Sequence, residues 1–113
     1  MSEANFSITP EGFVQEFKDL KNYLVSNYFS GDSKISRIDK LQNAGLSEEQ
    51  IEITKRIVNE ALTDALYTVL LGLDGCASIG RHQINYKLFD EKSNELTGEL
   101  ESIAWEKLHG ENT

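Results

Sequence analysis

The stretch Leu41-Gln42-Asn43-Ala44-Gly45-Leu46-Ser47-Glu48-Glu49-Gln50-Ile51 closes one helix and opens another. Gly45 stands where a left-handed residue ends a helix, and Leu46 is placed to pack back on Leu41, as in a Schellman motif. Ser47 and Gln50 have the spacing of a capping box, Leu46 and Ile51 that of a hydrophobic staple, and Glu48 and Glu49 fall where the helix dipole favours acids. Two helices are therefore predicted to meet at a tight corner. The second continues through Ile57, Val58, Ala61, Leu62, Ala65, Leu66, Val69 and Leu70 without a breaker until Gly72. Nine of the 13 residues from Ala61 to Leu73 are hydrophobic, which leaves little face for water and predicts that Leu62 and Leu66 lie at the centre of the core.

Upstream, Thr9 before Pro10 is a helix start, with Ile8 and Phe13 at staple positions. Phe13, Phe17, Leu20, Leu24 and Tyr28 recur at helical intervals, which predicts a helix over 10–29 with these side chains on its inner face. Gly31 stops it, and Asp32 or Ser33 caps a short helix over 34–44. Downstream of the long helix (48–71) the glycine-rich stretch 72–80 reads as a loop. Gln83 to Phe89 alternates as a strand does, with Ile84, Tyr86 and Leu88 on one side. A turn over 90–94 and a return over Glu95-Leu96-Thr97 complete a hairpin. Thr97 or Gly98 then starts a helix over 99–109 with Leu100, Ile103, Ala104 and Leu108 inward and Trp105 at the edge of the core. The expected fold is mainly α (α+β), a four-helix single domain over 1–113 with one small β-hairpin before the last helix. A mass of 12.7 kDa suits one core.

The corner also has the outline of a helix-turn-helix, but a recognition helix opening Ser47-Glu48-Glu49-Gln50-Ile51-Glu52 would turn three acids toward phosphates. Nucleic-acid binding is not expected. The net charge is -8, and the seven acids from Asp90 onward against Lys92 and Lys107 supply -5 of it within the last 24 residues. Such a field repels anionic surfaces and steers basic partners, although acidic surfaces also serve solubility alone. The longest apolar run is too short and too interrupted to span a membrane, and the first residues lack the basic-then-apolar pattern of a secretory signal. The single cysteine, Cys76, excludes an intramolecular disulfide. These features predict a cytoplasmic protein.

Candidate chemistry is sparse. The loop 72–80 has neither the ending of a P-loop nor the spacing of a dinucleotide site. Cys76 as nucleophile would need His82 as base and Asp74 or Asp90 as orienter, and the competing reading is a buried structural cysteine. Cys76, His82 and His109 lack the close spacing of zinc ligands. No cofactor and no metal are expected, and the balance leans away from an enzyme. Asn5-Phe6-Ser7 matches a glycosylation sequon, by chance given no secretory signal.

The run from Leu71-Gly72-Leu73-Asp74-Gly75 through Tyr86-Lys87-Leu88-Phe89-Asp90-Glu91 to Gly98-Glu99-Leu100-Glu101 resembles small uncharacterised bacterial proteins, some of them found in toxin and immunity settings. The resemblance implies a source and a size class and assigns no residue a role. Surface charge then favours an acidic protein-binding or inhibitory module of immunity type that meets a basic protein through Glu95, Glu99, Glu101, Glu106 and Trp105. The alternatives are a small enzyme or ligand binder built on Asp74, Cys76 and His82, and a homo-oligomeric structural protein.

Overall fold

The computed structural model describes residues 7–110. Helix α1 (Pro10–Tyr28) begins where Thr9 accepts the Gly12 amide on its hydroxyl at 3.0 Å, so the threonine cap is made as expected. A short α2 (Ile38–Asn43) follows, then the long α3 (Glu48–Leu73) and a brief α4 (Leu100–Ala104), which runs on as a π-wound turn over Trp105–Gly110. Backbone contacts gather into two compact units, Met1–Lys18 with Ala65–Thr113, and Asp19–Asp64.

Within the unit Asp19–Asp64 the corner forms as its residues dictate. Gly45 has φ +89°, its amide donates to the Gln42 carbonyl at 3.0 Å, and the Leu46 amide donates to the Leu41 carbonyl at 3.1 Å. Across the junction the Ser47 amide donates to Gln50 Oε1 at 2.8 Å and the Gln50 amide to Ser47 Oγ at 3.2 Å. α2 starts four residues later than expected. Ser33 and Ser36 hydroxyls accept the Ile35 and Ile38 amides, a local alternative to helix that holds 33–37 in turns. The same unit buries Lys21 completely. Its ammonium donates to Thr63 Oγ1 at 3.0 Å while that hydroxyl donates to the Asn59 carbonyl at 2.9 Å.

The other unit holds the apolar core: Val14, Leu70, Leu100, Ala104 and Leu108, with Phe13, Phe17, Tyr67, Leu71, Leu73 and Ile103 packed around them. Two expectations shift. On α1 the buried line is Val14, Lys21 and Val25, and Leu20 is left 49 % exposed. On α3 the fully buried leucine is Leu70, whereas Leu62 and Leu66 are half-buried.

The expected hairpin does not form, so the fold is helical, and no strand exists among the described residues. Residues 82–88 run without turn or bend, but the segment meets the return at a single antiparallel bridge, Phe89 with Glu95. The Leu96 amide reaches the Leu88 carbonyl at 2.7 Å, yet the Leu88 amide goes to the Thr97 hydroxyl rather than to a main-chain oxygen. A three-residue return followed at once by Gly98 and α4 is too short to pair residues 83–87. The turn itself is made. Asp90 Oδ1 accepts the Lys92 and Asn94 amides at 2.9 Å, and the Asn94 amide chiefly holds the Asp90 carboxyl below its usual pKa. Among the described residues no helix is long and apolar enough to cross a membrane.

Truncating the core should cost most where burial is complete. Leu70→Ala and Leu100→Ala are each expected to lose about 2–5 kcal/mol in urea melts, against about 1–2 kcal/mol for half-buried Leu62→Ala.

Candidate functional site

The loop after α3 is built from the helix end. The Gly75 amide donates to the Gly72 carbonyl at 3.0 Å and the Cys76 amide to the Leu71 carbonyl at 2.9 Å, a second Schellman stop, with Gly75 at φ +77°. The helix thus passes through Gly72 and ends two residues later than its glycine suggested. A side chain at Gly75 would collide with Asn85 Oδ1, and Gln83 Nε2 donates to the Gly75 carbonyl at 2.6 Å. Only glycine admits the 83–85 segment so close.

That stop presents Asp74 to the start of α4. Asp74 Oδ1 accepts the Gly98 amide at 2.7 Å, and Oδ2 accepts those of Leu100 at 2.7 Å and Glu101 at 3.2 Å. These include donors that a helix cannot satisfy within itself, and the cap comes from a residue 26 positions away instead of from Thr97. Thr97 is occupied elsewhere, its hydroxyl donating to Glu95 at 2.9 Å and accepting from Leu88 at 3.2 Å. Asp74 is therefore committed to structure rather than to orienting a histidine.

Cys76 is exposed, and its Sγ donates to Glu101 Oε1 at 3.5 Å. Loss of water around the sulfur, then the hydrogen bond and charge of Glu101, then the charge of Asp74, push its pKa up. A nucleophilic cysteine requires the opposite. His82 lies exposed in the straight segment, and among the described residues no hydrogen bond joins it to Cys76. The three loop candidates do not converge on one reacting atom. Among the described residues no three His, Cys, Asp or Glu side chains group to hold a metal ion.

A different constellation does assemble beside Cys76. Glu101, Trp105 and His109 follow one another at intervals of four. Trp105 is 56 % exposed, and its ring stacks on His109 with centroids 5.1 Å apart and planes at 29°. His109 meets Tyr67 of α3 edge-on at 4.6 Å, and Tyr67 lies 6.2 Å from Trp105. The Tyr67 hydroxyl is pushed up in pKa by loss of water, then by the Glu101 charge, then by Cys76, which places the Glu101 carboxylate within electrostatic reach of the cluster. Trp105 is thus an exposed ring rather than one packed at the core's edge.

The remaining acids stand apart. Glu95, Glu99 and Glu106 are exposed. Glu99 occupies the cap position and Glu106 the π-wound turn, so the seven-residue spacing that returns to one face of an α-helix does not carry across from one to the other. Lys107 donates to Gln15 Oε1 at 3.2 Å, which ties this turn to α1. Tyr67 packs against the core while its ring edge meets His109, a contact between residues far apart in sequence that no local spacing announces. Elsewhere a groove of about 250 Å³ lies between Phe29, Ile38 and Ile51, rimmed by Gln42, Glu48, Glu52 and Lys55, without convergent chemistry. No family model, no curated protein and no solved structure matches the chain.

Two outcomes test this geometry. Asp74→Ala should lower stability by about 1–3 kcal/mol, since the part-buried Leu100 amide and the exposed Gly98 and Glu101 amides lose a charged acceptor, and should speed hydrogen exchange at Gly98 and Leu100. Alkylation of Cys76 by iodoacetamide should rise with pH later than for a free thiol, because a raised pKa keeps the proton on sulfur, and Glu101→Gln should move that rise to lower pH.

Proposed function

We propose that this chain is an acidic protein-binding module of inhibitory, immunity-like type, which covers a basic surface of a partner protein with the face carrying Glu101, Trp105 and His109. The observation that carries this reading is the exposure of Trp105. A tryptophan has the largest apolar area of any side chain, and leaving half of it in water while it is stacked on a neighbouring ring gives a rigid, flat anchor. Aromatic faces attract cations, and the Glu101 carboxylate on the same face supplies the countercharge. A lysine or arginine of the partner finds both there.

The net charge supports the reading, since five of the eight excess negative charges belong to the last 24 residues. Glu95, Glu99 and Glu106 form a wider acidic rim that speeds encounter and contributes little to the bound state. The enzyme alternative loses its support with a thiol whose proton is held more tightly than usual.

Capture from the source cell at low and high salt, followed by identification and a titration with the purified partner, tests the proposal. The expected partner is a basic protein recovered at low salt. Its binding should weaken about thirtyfold in Trp105→Ala, the loss of a hot-spot residue, and less in Glu99→Gln. Equal recovery by parent and Trp105→Ala at both salt levels would remove the proposal.

A further inference from the structure

We infer that residues 82–90 pair antiparallel with the same residues of a second copy of this chain, on a two-fold axis through Tyr86, so that the strand unpaired in one chain is completed by another. The segment has the alternation of a strand and runs without turn or bend, yet no backbone hydrogen bond engages residues 82–87 among the described residues. Ile84 and Tyr86 stand 51 % and 42 % exposed, and Phe89 52 %. A straight segment with open amides and carbonyls and apolar alternate side chains is a template for strand addition. It is also held in place, by Gln83 on Gly75 at one end and by the Phe89–Glu95 bridge at the other.

The direction of the open edge follows from the bonds that are made. Leu88 accepts from Leu96, and Asp90 donates to Asn94, so even-numbered residues direct their main-chain groups toward the return segment. In an extended chain the odd-numbered residues 83, 85, 87 and 89 then present the other edge, which is the one a second copy can meet.

Charge complementarity selects the second copy and its register. With Tyr86 opposite Tyr86 at a non-hydrogen-bonded position, Asn85 and Lys87 exchange main-chain bonds, Ile84 falls opposite Leu88 and His82 opposite Asp90, and just beyond the paired residues Arg81 of one copy comes toward Glu91 of the other. Aromatic meets aromatic, aliphatic meets aliphatic, Arg81 and His82 each come toward an acid, and Lys87 meets the uncharged Asn85. Moving the axis to Ile84 instead sets Arg81 against Lys87, like charge on like. A lone two-stranded ribbon is marginal in water, but here each segment is already anchored to its own chain at both ends, by Gln83 on Gly75 and by the Phe89–Glu95 bridge, which lowers the cost of ordering it. The contact is isologous and closes on itself, leaving the Trp105 face to a different partner.

The test is sedimentation equilibrium over a wide concentration range, with cysteine cross-linking to read the register. The parent should show a mass that rises from 12.7 kDa toward twice that value with concentration. Tyr86→Asp, which sets two like charges face to face, and Lys87→Pro, which removes a ladder amide, should each weaken the dimer about tenfold or more, with unchanged helical circular dichroism. In a Cys76→Ser background, oxidised Tyr86→Cys should form a disulfide-linked dimer, because residues opposite one another at a non-hydrogen-bonded position lie within bridging distance. Ile84→Cys alone should not. A parent that stays at 12.7 kDa throughout, a dimer indifferent to Tyr86→Asp, or cross-linking equal at positions 84 and 86 would each overturn the inference.

Discussion

One carboxylate organises the C-terminal half of this protein. Asp74 accepts three amides at the start of α4, and α4 is only five residues long, too short to persist by its own hydrogen bonds. Three of the five residues in the apolar core, Leu100, Ala104 and Leu108, lie on this helix and the π-wound turn that continues it. Without the cap, α4 would begin with unsatisfied donors against a buried leucine, where desolvation is costly. The same helix carries Glu101 and leads directly into Trp105 and His109, so Asp74 also sets the position of the face proposed to meet a partner.

What the residues declared in advance was what they do to their near neighbours. Thr9 before Pro10, Gly45 after Leu41, and Ser47 with Gln50 each satisfy amides or carbonyls three to five positions away, and each bond is present. Where the partner is distant in sequence the pattern is silent. Nothing in the spacing of Leu73-Asp74-Gly75 says that its carboxylate will cap a helix 26 residues on, and Thr97 stood in the obvious capping place. Lys21 was illegible for a related reason. In a helical repeat a lysine reads as a solvated position, but its four-carbon stem packs as an apolar chain does, and Thr63 takes its ammonium.

The hairpin failed on chain length rather than on pattern. Gln83 to Phe89 has the alternation of a strand, and alternation describes how side chains would lie if a partner existed. The chain supplies only Glu95 to Thr97 before α4 must begin, and Asp74 fixes where it begins. Most of the strand's ladder therefore has no partner within the molecule. The two facts are one constraint, since a longer return would pull the Gly98 and Leu100 amides away from the carboxylate that holds them.

The same constraint separates the two surfaces of this half of the protein. The acidic excess of the C-terminal region would make any association of like with like unfavourable if it were spread evenly, since self-repulsion grows with net charge. It is not spread evenly. Residues 79–89 contain Arg81 and Lys87 and no acid, so this segment is a basic, apolar strip in an acidic protein. Asp90 and Glu91 follow immediately. A segment that runs from basic to acidic along its length is complementary to itself only when antiparallel, and an antiparallel ladder is what its extended backbone can form. The two proposed surfaces thus rest on opposite electrostatic logic: the helical face sets one carboxylate, Glu101, beside an exposed aromatic ring, and the extended strip balances its charges along an antiparallel pair.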